Sequence, residues 1–551
     1  MVGVVTETRL DRDDAPRLTG PGIRQSMSGL HTWAGLLLGW VLYAMFLTGT
    51  VSYFKDELSQ WTRPELPHQV AVPDRAAVAQ RVADELTRTV PGSPQWSMRL
   101  PDARNNSVYA FWRAAPQAAG RRGFGEGRFD PATGRQVAAR DTLGGDFFYR
   151  FHFQFHYMSV FWGRLLAGAA AMFMLVAILS GVITHKKIFV DFFTFRWGKG
   201  QRSWLDAHNA LSVFGLPFHL MITYTGLVTL MAMYVPWGEQ AAIKTPAERQ
   251  ELSAQLSAFI QPGKPSGEAA PLASVADMVR QAQQRWGRDN VAQVTVTHAG
   301  DAAARVAVAR GEAGRVSMSP QYMEFEGATG RLVDAHEGVG AAAETRGVLY
   351  ALHLGRFGDI VTRWLYFLVS GAGTAMVGTG LVLWTVKRRR HLADPDRPHF
   401  GFYIVERLNI AAIAGLSVAM TVFLWANRLL PLGLAGRADW EIHAFFAAWG
   451  LTLLHAVLRP ARKAWVEQLW AACALLALLP VVSAVTTQRP LWQSLYAGDW
   501  VFAGIELMLW ALAALHAVLA IRTARHRPAM RSARRPVRDP ARRAALGEAG
   551  A

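Results

Sequence analysis

The residues with the most chemical potential in this sequence are histidines that lie in or beside long apolar segments. The chain has 16 histidines. Ionisable side chains are costly inside a bilayer, and where they occur they commonly serve a functional site. Seven of them sort by predicted depth: His31, His185 and His208 toward one side of the membrane, His152, His156 and His353 toward the other, and His219 within a span.

The spacing of two of these histidines suits the ligation of two stacked haems. His208 and His219 are 11 residues apart, so on one helix they share a face and lie about 16 Å apart along the axis. Neutral imidazole is a common axial ligand of haem iron. His152 and His156, four residues apart, also share a face if their stretch is helical. A proton relay, a transition-metal path and purely structural histidines are the alternatives that this pattern leaves open.

The elements that must position these histidines are membrane-spanning helices. The chain has 551 residues, of which 51% are hydrophobic and 18% charged, and this composition excludes a disordered or disulfide-rich protein. The single cysteine, Cys473, excludes an internal disulfide and a Cys-ligated cluster. Apolar runs of about 20 residues cross a bilayer. Eight are predicted, at 31–54, 160–184, 208–234, 360–386, 408–430, 441–458, 465–485 and 499–521.

The distribution of charge predicts the orientation of these spans. The net charge is +17, but the two long loops, 55–150 and 238–345, carry 24 basic and 24 acidic residues between them. The basic excess therefore lies on the opposite face, which the positive-inside rule makes cytoplasmic, together with both termini. It favours contact with anionic membrane lipid and argues against nucleic acid. The segments on that face are 1–30, 186–207, 387–407, 459–464 and 522–551.

The two outer loops are predicted to be small folded domains, each a helix beside a small antiparallel sheet. The helices are predicted at 74–90 and 273–286, where apolar residues recur every three or four positions. Alternating apolar runs predict the strands. These are at 95–100, 106–113 and 135–139 in the first loop, and at 291–298, 303–309, 314–319 and 321–326 in the second.

An internal repeat organises the first 390 residues. The first loop contains FDPATGRQV and the second FEGATGRLV, each predicting a strand, a turn and a strand. His31 and Thr48-Gly49 of the first span recur as His208 and Thr225-Gly226 of the third, 177 positions later in both cases. The unit is a span, an outer domain and a span, used twice in one orientation, and shared sites are expected between such halves.

The last four spans, 408–521, do not repeat this unit and form a separate C-terminal module. It contains His443, His455 and His516, for which structural roles are the preferred interpretation, although His455 and His516 both fall toward the cytoplasmic side and could meet. The chain contains no GxGxxG fingerprint after a strand, no phosphate-binding GxxxxGK[ST] loop, no HExxH and no GxSxG. No nicotinamide or flavin domain is therefore predicted.

Three strings carry a resemblance to a known family. They are GLHTWAGLLLGWVLYAMFLTGTV, SGVITHKKIFVDFFTFRWGKGQRSWLDAHNALSVFGLPFHLMITYTGL and LHLGRFGDIVTRWLYFLVSGAGTAMVGTGLVLWTVKRRR. Over about residues 25–392 the chain resembles the PepSY-associated transmembrane family, iron-regulated bacterial inner-membrane proteins that include ferric-siderophore reductases. The resemblance implies PepSY-like outer domains and a di-haem b-type cytochrome. It implies haem ligands at His31, His208, His156 and His353, with His219 and His185 as further candidates. By their positions in the sequence, His152, His455 and His516 are lower-ranked candidate ligands.

The function implied by the resemblance is electron transfer across the inner membrane to a periplasmic ferric siderophore or other ferric chelate. A cytoplasmic or quinol donor would reduce an inner haem held by His31 and His208, or by one of them with His185. An outer haem, held by His219 with His156 or His353, would pass the electron on. The alternatives are a non-redox transporter of a metal or siderophore and a PepSY-type regulatory or binding membrane protein.

Overall fold

The computed structural model describes residues 22–68, 73–114, 123–185, 187–196, 198–256, 263–395 and 397–526. Most of the predicted terminal segments 1–30 and 522–551 lie outside these residues. Helix dominates the described chain. The helices that belong to the repeat are α1 Ile23–Leu37, α2 Gly39–Ser52, α3 Lys55–Trp61, α4 Arg75–Thr89, α5 Gly145–Gln154, α6 Val160–Thr184, α7 Ile188–Phe192, α8 Gln201–Phe214, α9 Leu216–Thr229, α10 Met231–Tyr234, α11 Pro236–Ala242, α12 Pro246–Leu256, α13 Val275–Trp286, α14 Ala341–Leu354 and α15 Ile360–Arg389.

The C-terminal module, predicted at 408–521, extends in the structure over Phe400–Arg525 and contains the remaining helices. They are α16 Phe400–Ile410, α17 Leu416–Leu429, α18 Arg437–Leu458, α19 Ala461–Thr486, α20 Leu491–Tyr496 and α21 Trp500–Arg525. A π-helical turn, Ala411–Gly415, joins α16 to α17 so that the two form one span. The freed carbonyl of Ala411 accepts a hydrogen bond from the Trp449 indole, 2.9 Å away, which satisfies a backbone group that has no water partner in a bilayer.

Each predicted span corresponds to a helix or helix pair of the described chain. Six spans are single apolar runs: α6, α15, α16–α17, α18, α19 and α21. The first and third spans are instead broken, because α1 and α2 meet at 65° and α8 and α9 at 68°. The breaks occur at Leu38 and Gly215, which are matched positions of the repeat. Pro217 explains the second break, since proline lacks the N–H that would continue the helix.

The two outer loops share one antiparallel sheet, where two separate sheets were predicted. β1 and β4 are the central strands, and their pairing brings Met98 opposite Val294. Among the described residues the strand order is β3-β2-β1-β4-β5-β6-β7. The strands are β1 Gln95–Arg99, β2 Val108–Arg113, β3 Phe124–Phe129, β4 Val291–Thr297, β5 Arg305–Arg310, β6 Tyr322–Glu326 and β7 Leu332–His336.

One face of this sheet is covered by α4 and α13, the two helices predicted in the outer loops. Their apolar sides pack on Trp96, Val294 and Phe325 to form a single core with contributions from both loops. The bounds of α4 and α13 agree with the predicted helices 74–90 and 273–286 to within two residues. Because the core crosses from one loop to the other, the outer region is one folding unit and not two.

Two of the predicted strands are wrong. In 135–139 only Gln136 pairs, as an isolated bridge to Phe129. In 314–319 the backbone of Met318 donates a hydrogen bond to the carbonyl of Gly347 in α14 instead of joining a strand. The matching Ala-Thr-Gly turns were predicted correctly, since Gly134 and Gly330 both take the left-handed conformation, with φ of 72° and 73°.

Candidate functional site

Two histidines from the broken spans meet toward the side of the membrane opposite the sheet. His31 of α1 and His208 of α8 have ring centroids 6.1 Å apart and ring planes at 66°. The Nδ1 atom of His31 lies 2.8 Å from the carbonyl oxygen of Ala177. That of His208 lies 2.9 Å from the carbonyl oxygen of Met376. We call His31 and His208 the inner pair.

A second pair lies on the sheet side. His152 of α5 and His353 of α14 have ring centroids 6.3 Å apart and ring planes at 30°. The Nδ1 atom of His152 lies 2.6 Å from the carbonyl oxygen of Met45. That of His353 lies 3.1 Å from the carbonyl oxygen of Ile222. We call His152 and His353 the outer pair.

All four rings are held by the same local arrangement. In every case the Nδ1 partner is a helix carbonyl four residues before a glycine, and that glycine faces the same ring. A carbonyl at Nδ1 fixes the tautomer and ring orientation and leaves Nε2 for a metal. The glycines are Gly181 for His31, Gly380 for His208, Gly49 for His152 and Gly226 for His353.

The glycines are required by the closeness of the rings. A Cβ atom added at Gly49 would lie 2.7 Å from Cε1 of His152, and one at Gly226 would lie 2.9 Å from Cε1 of His353. Both distances are too short for nonbonded carbon atoms. The shared Thr-Gly of the first and third spans, visible in the sequence repeat, therefore has a steric function. From the sequence alone, Gly49 and Gly226 were recognised only as matched positions of the repeat.

The ring separations fit one metal ion between two imidazoles. An imidazole nitrogen lies about 2 Å from a bound first-row metal. Two imidazoles on opposite sides of one ion therefore have centroids roughly 6 Å apart, as in both pairs. Within the described residues no group of three or more His, Cys, Asp or Glu side chains could hold a metal ion. Paired imidazoles without further protein ligands suit a planar macrocycle that supplies the remaining ligands.

A cavity of 270 Å³ opens around the outer pair. His152 and His353 line it together with apolar residues of α2, α6 and α9. Burial lowers the pKa of His353 to about 3, with the neighbouring His152 ring acting in the same direction, and burial also lowers the pKa of His152. Both imidazoles are therefore neutral near pH 7, which is the protonation state that binds metal.

The charged residues lining this cavity are mostly basic. Lys55 and Arg104 both pair with Asp56, at 2.9 and 3.1 Å. Although burial opposes it, these cations and Arg356 hold the pKa of the Asp56 carboxyl below its usual range. Arg164 and Arg363 also line the cavity. Five basic residues and one acidic residue line the cavity, and Glu57, Asp146 and Glu312 pair with four of the five cations from outside the lining. The remaining excess of one positive charge favours an anionic ligand.

The remaining ring predicted on the sheet side, His156, lies outside the outer pair. Helix α5 ends at Gln154, and Phe155 takes a φ of 55°, so His152 and His156 do not share a helical face. The His156 ring stacks on Phe446 of the C-terminal module, with centroids 5.7 Å apart. The structure therefore brings His353 together with His152 and not with His156.

The other predicted ligands also lie apart from the two pairs. His219 is fully buried on α9, with Nε2 3.4 Å from the carbonyl oxygen of Val369. His185 follows the last residue of α6, one turn beyond Gly181. His455 bonds to Glu467 at 2.8 Å, and His516 bonds to the carbonyl of Leu512 in its own helix. In the described chain no ring contact joins these two histidines.

The spans and the matched family define the class of protein. With six to eight candidate spans, the chain is a multi-pass, mainly α-helical membrane protein. The family model "PepSY-associated TM region" matches residues 28–387, and the chain belongs to that family. It is 27% identical over 322 residues to an uncharacterised protein of Pseudomonas aeruginosa, a match that covers 54% of this chain and 76% of the relative. The C-terminal module lies outside the family match.

Proposed function

We propose that this protein holds two haem b groups, one at each histidine pair, and conducts electrons across the membrane to a ferric chelate. The observation that carries the proposal is the repeated arrangement of imidazole, helix carbonyl and glycine, which orients four imidazoles in two facing pairs. Bound haem would supply a one-electron carrier whose potential depends on its axial ligands and surroundings.

The two pairs lie at different depths, as an electron conduit requires. Gly181, which faces the inner pair, and Ala171, which lines the outer cavity, are both on α6. Ten residues of helix separate them, or about 15 Å along its axis. The basic lining of the outer cavity supports an anionic partner there, either the carboxylates of a haem or an anionic ferric chelate. We propose the inner bacterial membrane as the location, with the sheet in the periplasm.

The test is a dithionite-reduced minus oxidised optical spectrum of the purified protein, with haem counted per chain. We expect a b-type signal and about two haems in the wild type, and about one in His208→Ala. His336→Ala, which changes a histidine of β7, is the matched control and should retain both. Protein without haem, from cells well supplied with iron and haem, would overturn the proposal. An unchanged His208→Ala spectrum would overturn the inner-pair assignment.

Non-redox transport is the second candidate, because one observation favours it. The first and third spans are broken at matched positions, Leu38 and Gly215, and matched broken helices are common at transporter binding sites. The two candidates separate in sealed proteoliposomes. Uptake of a labelled ferric chelate without any reductant would favour transport, whereas reduction of external chelate by electrons from an internal donor would favour the conduit.

A further inference from the structure

The C-terminal module packs on the short helix that carries His152. Three buried phenylalanines of α5 contact this module. Phe147 stacks on Phe423 with centroids 4.9 Å apart and planes at 16°. Phe151 meets Phe445 edge-on at 5.7 Å. Phe148 also meets Phe423 edge-on, at 5.2 Å. The face of α5 next to His152 is thus packed on α17 and α18, which lie outside the repeat.

The module also holds the chain on both sides of α5. Before the helix, the Thr142 hydroxyl donates a hydrogen bond to Glu441, a fully buried residue of α18, and accepts one from the Gly144 N–H. After the helix, the Tyr157 hydroxyl bonds to Nδ1 of His443 on the same α18. These contacts and the phenylalanines surround a helix of ten residues, a length that has little stability of its own.

The equivalent helix of the second half is held differently. In α14, Tyr350 donates its hydroxyl hydrogen bond to the carbonyl of Thr229, and the Leu352 carbonyl accepts one from Tyr366, at 3.0 Å. Both partners belong to the second half of the repeat. Thus α14, which carries His353, is held within its own half, whereas α5, which carries His152, is held by the C-terminal module as well as by its own half.

We propose that the C-terminal module is a positioning element for the outer site, which sets the angle of the His152 ring against His353. This inference rests on the proposed haem ligation. The orientation of axial imidazoles is one of the means by which a protein tunes a metal site. Phe423, Phe445 and Thr142 are therefore positioning residues that act through α5, although none of them faces the outer pair.

Electron paramagnetic resonance of the oxidised protein reads this angle directly. The g-anisotropy of a low-spin ferric site with two imidazoles depends on the angle between the two ring planes. The inner pair is at 66° and the outer pair at 30°. The wild type should therefore give two distinct low-spin signals, and the outer site should have the smaller maximum g value.

Two variants test the positioning role. Phe423→Leu keeps an apolar side chain but removes the ring that stacks on Phe147. We expect it to shift the outer signal and the outer midpoint potential while leaving the inner signal and the haem count unchanged. The control is Phe402→Leu, since Phe402 is equally buried in the module and contacts Trp384 and His399 instead of α5.

Thr142 provides an independent test that does not alter the aromatic packing. Thr142→Val removes both hydrogen bonds of the hydroxyl and should also shift the outer signal alone, whereas Thr142→Ser retains the hydroxyl and should restore the wild-type spectrum. Two wild-type signals that neither Phe423→Leu nor Thr142→Val moves would overturn the inference and leave the proposed function intact. A wild type with no low-spin haem signal would instead overturn the proposed function.

Discussion

The first half of the repeat, α1–α6, and the second, α8–α15, hold their histidines by the same contacts but surround them differently. His219 has Leu42 as its counterpart in the first half, and Gly373, which faces His219, has Met174. Leu42 and Met174 pack together in an apolar cluster. The second half thus replaces an apolar pair by a buried imidazole and a glycine, while the contacts of the paired histidines are the same in both halves.

The comparison separates the residues that a site needs from those that make two sites unequal. The carbonyl and glycine at each ring occur four times and follow from the chemistry of a fixed imidazole. The differences lie one layer further out, in His219 and in the support of α5 by the C-terminal module. In the proposed conduit, unequal surroundings would give the two sites different potentials, which would favour electron transfer from one site to the other.

The largest expected effect on haem content comes from replacing His152, the member of the outer pair that the structure selects in place of His156. His152→Ala should lower the haem content from about two to about one per chain, because it removes an axial ligand. His156→Ala should retain both haems, since its ring stacks on Phe446. Haem per chain measures the difference. Loss of haem in His156→Ala with none in His152→Ala would contradict the assignment of the outer pair.

The position of His156 also shows why sequence alone could not choose between these two residues. Spacing of four places both on one face only if the helix continues. The helix ends at Phe155, which has a positive φ. No glycine or proline near this position predicts the end of the helix. By contrast, hydropathy located each helix or bent helix pair that could cross the membrane, because that signal is local. The repeat correctly related His31 to His208, because it is a direct match between two stretches of sequence.

The shared sheet was beyond sequence reasoning for a different reason. The strands β1 and β4 each show an alternating pattern, but neither pattern indicates which strand it pairs with. Pairing across two intervening spans depends on how the two halves meet in the membrane. The predicted strand 314–319 failed because the Met318 N–H bonds to the Gly347 carbonyl, whereas 135–139 pairs with the end of β3 over a single bridge only.

The second largest effect is expected from replacing the glycines that face the histidine rings by alanine, and the size of this effect should differ between the outer and the inner pair. Gly49→Ala and Gly226→Ala would place Cβ atoms within 3 Å of a ring, and such overpacking costs about 1–3 kcal/mol. We expect a lower melting temperature and loss of the outer haem.

Replacing the glycines that face the inner pair by alanine should have a smaller effect on stability and haem content. A Cβ atom at Gly181 or Gly380 would lie 3.1 Å from its ring, and alanine favours a helix over glycine by about 1 kcal/mol. Gly181→Ala and Gly380→Ala should therefore leave stability nearly unchanged. Equal losses of melting temperature and haem content in all four glycine variants would refute the difference between the inner and the outer pair.

His219→Leu is expected to have a smaller effect, and it makes the second half resemble the first. Within the described chain the Nδ1 atom of His219 is buried without a hydrogen-bond partner, and such a group costs about 1–3 kcal/mol. The variant should keep two haems and be as stable as the wild type or about 1 kcal/mol more stable. Loss of one haem would instead make His219 a ligand.

The smallest expected effect comes from removing an ion pair between α13 and the end of β7. Arg285 and Trp286 donate hydrogen bonds to Glu337 and lower the pKa of its carboxyl to about 2 from 4.5. The stabilisation is therefore present above pH 4.5 and lost as the pH falls toward 2. Because the pair is exposed, Glu337→Gln should change the melting temperature at pH 7 by no more than about 1 °C. A difference that grows on acidification would contradict the sign.

The pairing of β1 with β4 has a consequence for the synthesis of the chain. About 190 residues, including the second and third spans, separate the end of β1 from the start of β4. Until β4 has been translated, β1 is an open edge, and open edges pair readily with other chains. Trp96 and Met98, which the finished sheet buries completely, also lack half of their core. A chain truncated after the second span would therefore expose an unpaired edge strand and two unburied core residues, and we expect it to aggregate.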